Sequence, residues 1–329
     1  MTKTAVVILN YNGKTYLEKF LPSVVTNSLG AQVIIADNAS TDDSITFLKE
    51  NYPNLTLIVL PENLGFTGGY NSALKQVDAE YFVLLNSDVE VTPGWLQPME
   101  TFLDKHLNYA ACQPKIKDFN NPEIFEYAGA SGGFIDFLGY PYCRGRILDH
   151  LENDHGQYDE SIDIFWSSGA CMMIRSTMFW ESGGFDNDFF AHMEEIDLCW
   201  RLSSLGYKVK SIPQSVVYHV GGGTLDKTSP FKTYLNFRNG LSLLLKNLPY
   251  DKLLLKFPVR VLLDWVAALK FLLEGKPKHS LAVLKAHIST FINFRRTLKK
   301  RTITSTAPKS KLMIFEYYLR GNKKFSELQ

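Results

Sequence analysis

Tyr81-Phe-Val-Leu-Leu-Asn-Ser-Asp88 joins five consecutive apolar residues to a polar tripeptide that ends in a carboxylate. An apolar run without alternation reads as a strand buried on both faces, as in a parallel sheet covered by helices. A carboxylate at the end of such a strand can hold a divalent ion that bridges two phosphates; its ordinary alternative is to cap the next turn. Outward from this strand the same signal repeats. Ala5-Val-Val-Ile-Leu9 is a strand punctuated by Asn10-Tyr-Asn-Gly13, with Tyr16, Leu17, Phe20, Leu21 and Val24 following at helical spacing. Val33-Ile-Ile-Ala36 is a second strand ending at Asp37, with Ser40 and Asp43 spaced as a capping box before a short helix. Leu55 to Leu60 is a third strand, and Gly68-Gly69 leads into a helix through Leu74 and Val77. Repeated strand–helix units imply an α/β fold with a mainly parallel sheet flanked by helices. Ligands of such sheets bind beyond the carboxyl ends of the strands, where Asn10, Asp37 and Asp88 stand.

Residues 110–230 are less regular. Phe165 to Ile174 reads as a strand containing Gly169, Gly183-Gly-Phe-Asp186 as a turn, Glu194 to Leu205 as a helix closed by Gly206, and Tyr207 to Ile212 as a strand. Glu194, Glu195 and Asp197 crowd the start of that helix. Helix N-termini favour negative charge, so solvated capping is one reading. Like charges this close also raise one another's pKa, which suits a general base. Asp37 precedes the cap position and is placed to meet a nucleobase or ribose. Asn63-Leu-Gly-Phe-Thr-Gly-Gly-Tyr-Asn71 allows close backbone approach to a phosphate or sugar at a helix start. Its place after the third strand, with no Gly-rich turn after the first, argues against a nicotinamide-dependent oxidoreductase. His219 precedes Gly221-Gly-Gly223, read as a flexible loop, and gains chemical meaning only if the fold carries it to Asp88.

The 329 residues are 45% hydrophobic and 21% charged, the balance of a globular protein with a full core. The four cysteines stand far apart, so a reducing, cytoplasmic setting is expected. No uninterrupted apolar run approaches the ~20 residues of a membrane span. The net charge of +1 hides a division: residues 1–230 carry 15 Lys and Arg against 29 Asp and Glu, whereas residues 231–329 carry 20 against 5. A leucine-rich, helical tail with that excess suits the anionic inner face of a membrane, with packing on the rest of the chain or on a second copy in a homodimer as the alternatives. Nucleic acid does not fit, because the basic residues are interleaved with aliphatic ones more than with stacking aromatics.

Seven segments in order resemble the family 2 glycosyltransferases of GT-A fold, above all their rhamnosyltransferase-like branch. They are Val7–Gly13, Ile35–Asp42, Asn63–Asn71, Leu84–Asp88, Gly184–Asp186, Glu194–Arg201 and Tyr218–Gly223, and the resemblance spans residues 3–240. It implies a GT-A catalytic domain at 1–230 and a basic helical extension at 231–329. It implies an inverting transfer from a nucleotide-sugar donor, dTDP-rhamnose or a UDP-sugar, to a glycan or lipid-linked glycan acceptor of surface polysaccharide synthesis. Asn86-Ser87-Asp88 would be the DxD-type motif, Asp88 and His219 the ligands of Mg²⁺ or Mn²⁺, and Asp37 the contact to the base. Asn10, Asn12, Asn63, Gly65, Gly69, Asn71, Asn86 and Ser87 would join Asp37 around the donor. Glu194-Glu195 matches the acidic pair that supplies the catalytic base, with Glu195 preferred. A catalytically inactive GT-A carbohydrate-binding or scaffold protein is the competing reading, and keeping both Asp88 and the Glu pair speaks against it.

Overall fold

The computed structural model describes residues 2–221, 229–301 and 311–328. The first four strands are β1 (Thr2–Asn10), β2 (Gln32–Asp37), β3 (Thr56–Val59) and β4 (Ala79–Asn86), joined by α1 (Lys14–Asn27), α2 (Ser44–Asn51) and α3 (Gly65–Leu74). They run parallel in the order β3-β2-β1-β4. Their unbroken apolar runs follow from cover on both faces. Ala5, Val7, Phe82 and Leu84 enter one core, while Val6, Ile8, Tyr81, Val83 and Leu85 enter the other. Successive side chains of a strand point to opposite sides, so a strand buried twice cannot alternate with polar residues.

The sheet continues through β5 (Val89–Val91), α4 (Leu96–Lys105) and β6 (Tyr109–Asp118). A small antiparallel sheet follows, made of β7 (Gly133–Ile135), β8 (Pro141–Cys143), β9 (Arg146–Ile147) and β10 (His150–Leu151). Next come β11 (Asp163–Ile164), β12 (Cys171–Arg175), α5 (Ser176–Glu181), α6 (Glu194–Ser204) and β13 (Lys208–His219). β12 pairs antiparallel with β4 and β6, and β13 parallel with β6, so the large sheet is mixed, with its parallel part as expected.

Four local expectations change. The strand expected over 165–174 forms only at Cys171–Arg175; Ser168 instead donates its amide to Gln113 Oε1 at 2.9 Å, and the preceding residues leave the ladder. The strand expected to stop at Ile212 continues to His219, because a register shift between Ile212 and Val216 absorbs Pro213. Ser40 does not cap α2, which starts at Ser44; its hydroxyl accepts the Asn12 amide at 2.9 Å instead. Gly68 and Gly69 lie inside α3, not before it, and a Cβ on Gly69 would stand 2.9 Å from Leu9, so glycine here lets the helix pack onto β1.

Among its described residues the tail contains the helices α7 (Pro230–Asn247), α8 (Tyr250–Leu273), α9 (Pro277–Ile292), α10 (Phe294–Lys299) and α11 (Met313–Tyr318). Leu243, Leu244, Leu245 and Leu248, beyond the boundary expected after residue 230, belong to the same core as β1 and α6. Part of the tail's charge is spent inside the molecule. Buried Lys246 pairs with Asp186 at 2.7 Å and Asp197 at 2.8 Å, and Lys300 pairs with Asp186 and Asp188. Burial alone would raise the Asp186 carboxyl; Lys246 and Lys300 hold it far below the usual range. The four cysteines are buried and free. Among the described residues no helix is long and apolar enough to cross a membrane.

Candidate active site

A cleft of about 390 Å³ opens beyond the carboxyl ends of β1 and β4. Register sets its floor: Asn10 lies level with Asp37, and Leu9 level with Asn86. β13 carries His219 opposite Val89, hence beside Asp88. His219 Nε2 stands 3.1 Å from Asp88 Oδ1 and 3.4 Å from Asn86 Nδ2. Its Nδ1 faces Glu126 Oε1 at 3.4 Å. Burial alone would lower the imidazole pKa, but the Glu126 and Asp88 carboxylates outweigh it and push it up to about 10. A proton thus balances two carboxylates there, and a divalent cation would displace that proton.

The pair fits such a cation. A carboxylate oxygen and an imidazole nitrogen 3.1 Å apart are both donors that would serve one divalent ion. Among the described residues no group of three His, Cys, Asp or Glu side chains could hold a metal ion by itself. An ion carried by a nucleoside diphosphate needs only one or two protein ligands, with phosphate and water completing the shell.

The start of α6 sorts its three carboxylates by helical angle. Asp197 points inward, fully buried, to Arg201 at 2.9 Å, Lys246 at 2.8 Å and Asn247 at 2.8 Å. Glu194 and Glu195 face the cleft, and Oε2 of each has no hydrogen-bond partner. Burial raises both pKa values, and the Glu195 charge lifts Glu194 further. Glu195 rises to about 7, with the main-chain amides of Glu195, Ile196 and Met193 pulling against burial. Of the two close carboxylates Glu194 is raised further, so Glu195 is the one that ionises first.

The chain reaches this pair through an unusual turn. Phe190, His192 and Met193 all have positive φ, at 64°, 68° and 71°. α7 clamps it: Asn239 Nδ2 donates to the carbonyls of Phe189, Ala191 and His192 at 3.0, 2.9 and 2.7 Å. Three acceptors on one amide hold a conformation that non-glycine residues otherwise avoid. Asn239→Ala is expected to destabilise the fold by about 1–3 kcal/mol, since buried carbonyls lose their donor. Turnover should fall as well, through misplacement of Glu195. Urea unfolding and steady-state kinetics on the same preparation check both.

Of the residues singled out in the sequence, Asn12, Asn63, Gly65, Asn86, Ser87, Asp88, Glu194, Glu195 and His219 line the cleft. Asn10, Asp37, Gly69 and Asn71 do not. Asp37 is fully buried, with Oδ1 accepting the Ser40 amide at 2.8 Å and Oδ2 accepting Asn10 Nδ2 at 2.9 Å. It ties two loops together behind the wall, where a base contact had been expected. Asn71 clips the Phe185 main chain, donating to its carbonyl and accepting its amide. Nor is the start of α3 offered to a phosphate: the amides of Phe66 and Thr67 donate to the Phe190 carbonyl at 2.8 and 3.3 Å. Gly65 permits this approach, since a Cβ there would meet the Phe190 ring at 2.5 Å.

Several lining residues were missed. Glu126 comes from the irregular segment after β6, where no periodicity marks it. Asn38 follows Asp37 directly and bonds Asn63 Oδ1 and the Gly65 carbonyl, both at 3.0 Å. His192 lines the cleft with Nε2 unpartnered, and burial first, then Lys232, pushes its pKa down to about 4. Gly221 lines the cleft; Gly222 and Gly223 of the expected flexible loop lie outside the described residues.

Known proteins resemble this chain in sequence and in fold. An N-acetylglucosaminyl-diphospho-decaprenol L-rhamnosyltransferase of Mycobacterium tuberculosis is 28% identical over 233 residues, which are 65% of this chain and 75% of that protein. The crystal structure of GalNAc-T7 with UDP, GalNAc and Mn²⁺ superposes with a TM-score of 0.58 at 16% identity, covering 74% of this chain and 48% of that one. The mannosyltransferase PcManGT from Pyrobaculum calidifontis, in complex with GDP-Man and Mn²⁺, superposes with a TM-score of 0.52 at 15% identity over 91% of this chain and 83% of that one. At such identities the two structures speak for the GT-A fold alone. Residues 5–183 match Glycosyl transferase family 2, and the chain belongs to that family.

Proposed function

We propose that this glycosyltransferase moves a sugar with inversion from a nucleotide-sugar donor to a hydroxyl of a glycan or lipid-linked glycan. The carrying observation is that the Asp88–His219 pair and the partnerless Glu194–Glu195 oxygens face one cleft. Asp88 and His219, with Asn86 beside them, would hold Mg²⁺ or Mn²⁺. That ion supplies positive charge against a departing diphosphate. The Glu195 carboxylate accepts the proton of the acceptor hydroxyl as its oxygen forms the new bond to the anomeric carbon. The bond from that carbon to the diphosphate oxygen breaks, and the nucleoside diphosphate leaves with the electron pair. Glu194, raised further by the Glu195 charge, leaves Glu195 as the member of the pair that ionises first.

The mycobacterial relative is named for L-rhamnose transfer to a diphospho-decaprenol acceptor, and this makes dTDP-rhamnose the first donor to test and UDP-sugars the second. The test is a thermal-shift screen of nucleoside diphosphates with and without Mn²⁺, followed by donor hydrolysis. One diphosphate should raise the melting temperature by several degrees only with Mn²⁺, and its sugar derivative should be hydrolysed slowly. Failure of every diphosphate to bind, or metal-independent binding of equal strength, overturns the reading. Binding without hydrolysis or transfer favours a non-catalytic carbohydrate-binding protein.

A further inference from the structure

Helix α8 is built inside out. Its buried positions are Leu253, Lys256, Arg260, Asp264 and Ala268, a stripe that carries three charges. Every exposed position from 254 to 269 is apolar, among them Leu254, Leu255, Val259, Leu262, Trp265 and Leu269. A helix that faces water does the reverse, placing its charges outward.

The buried stripe fixes which way round the helix sits. Arg260 Nε bonds Asp264 Oδ1 at 3.0 Å, and Asp264 Oδ2 faces His287 Nε2 at 3.3 Å. The Arg260 guanidinium lies 3.7 Å from the Tyr140 ring centroid, and the Lys256 ammonium 3.8 Å from that of Phe137. Rotating α8 to hide its leucines would keep the Arg260–Asp264 bond, which lies within the helix, but would part Asp264 from His287 and the Arg260 and Lys256 cations from the Tyr140 and Phe137 rings, so the outward leucines follow from the fold.

α9 extends the same surface. Ala282, Val283 and Ala286 pack inward, while Leu281, Leu284, Ile288, Phe291 and Ile292 are exposed, Phe291 by 83%. Around this apolar area, residues 250–300 expose eight Lys or Arg and two acids, Asp251 and Glu274. Lys252, Lys276, Lys278, Lys285, Arg295 and Lys299 are among the eight.

We propose that the α8–α9 face lies flat in the headgroup–acyl boundary of an anionic bilayer, with its leucines toward the acyl chains and its basic rim at the phosphates. Such a surface needs apolar area for insertion and cationic charge for attraction to anionic lipid, and both are present. Trp265 is of the type that settles at the headgroup level. Among the described residues no helix qualifies to span, and Arg260 and Asp264 tie α8 to the Leu138 carbonyl and the Tyr140 hydroxyl of the body, so α8 would lie in the plane. A second copy is the weaker occupant: a two-fold pairing of this face would set its excess of cations, eight against two acids, against the same excess on the partner. The surface does not depend on the identity of the donor. If the acceptor is lipid-linked, the same face would bring the cleft to it.

The experiment is co-sedimentation of the full chain with vesicles of phosphatidylcholine, alone or mixed with phosphatidylglycerol, at low and high salt. Binding to the anionic vesicles should be at least about ten-fold tighter than to the neutral ones, and should weaken with salt. Leu262→Glu/Leu269→Glu should abolish binding to both while circular dichroism and Mn²⁺-dependent nucleotide binding are unchanged. Leu262→Ser/Leu269→Ser provides the same test if the charged pair fails to fold. Lys276→Gln/Lys278→Gln/Lys285→Gln should weaken anionic binding by about a hundred-fold, at roughly five-fold per charge. Absence of binding to anionic vesicles, or binding unchanged in the leucine variants, overturns the proposal. So does a stable dimer in sedimentation velocity that the leucine variants dissociate and that ignores vesicles.

Discussion

Asp88→Ala is expected to lower turnover on the order of a thousand-fold and to remove the Mn²⁺ dependence of nucleoside diphosphate binding. The first figure follows from the several kcal/mol that a cation supplies to a leaving diphosphate, at about 1.4 kcal/mol per ten-fold in rate. Of the two side chains proposed to hold the ion, Asp88 brings the negative charge. His219 alone, drawn toward Glu126 on its other nitrogen, leaves a neutral ligand at best. The melting temperature should change little, because the strand end is held by β4 and by the Asn86 amide on the Ala170 carbonyl at 3.0 Å. Isothermal titration with the nucleoside diphosphate, with and without Mn²⁺, reads the result. Undiminished Mn²⁺-dependent affinity in Asp88→Ala would remove this residue from the metal site.

Glu195→Gln keeps the shape of the side chain and deletes its proton affinity. Turnover should drop by about a hundred- to ten-thousand-fold, the usual contribution of a positioned base, while donor binding survives. The wild-type rate should fall on the acid side with a limb near pH 7, well above an ordinary carboxylate, because burial lifts the Glu195 carboxyl to about 7. Below that limb the base carries its proton and the rate falls about ten-fold per pH unit. The same shift has a stability consequence with a definite sign. The folded protein holds this proton more tightly than the unfolded chain, whose group titrates near 4.5. The stability that Glu195 contributes is therefore full below about pH 4.5 and is lost as pH rises through about 7. Glu195→Gln escapes that loss, so its melting temperature relative to wild type should climb between pH 5 and pH 8. A dead but more stable variant separates a catalytic role from a structural one. If Glu194→Gln is inactive and Glu195→Gln transfers normally, the base is Glu194.

The contrast between the acidic residues shows what local sequence can and cannot say. Glu194, Glu195 and Asp197 look alike as a cluster at a helix start. Only packing against α7 makes Asp197 the partner of Lys246 and leaves the other two in the cleft. Asp37 and Asp88 likewise share a position at strand ends. Their fates differ because Ser40 and Asn10 turn back onto Asp37, whereas β13 brings His219 to Asp88. The basic tail reads as one surface in the sequence, yet Lys246 and Lys300 are internal ion-pair partners, and α8 hides its charges while showing its leucines.

By itself the sequence determined the repeating strand–helix frame, the parallel order it implies and the strand ends where a ligand would bind. Those features depend on short-range periodicity: an unbroken apolar run marks a strand covered on both faces, and the residue after it is carried to the sheet's edge. Tertiary structure alone decided which polar residues were consumed in holding loops, as with Asn10, Asp37 and Asn71, and which were left facing the cleft, as with Glu195. It also recruited Glu126 from a segment without periodicity, and Asn239 from α7, which follows the candidate carboxylates of α6 in sequence. The physical reason is that a polar group's role depends on whether its hydrogen-bonding capacity is already met, and deciding partners stand far away in sequence, 27 residues for Asn10 and Asp37 and 131 for Asp88 and His219.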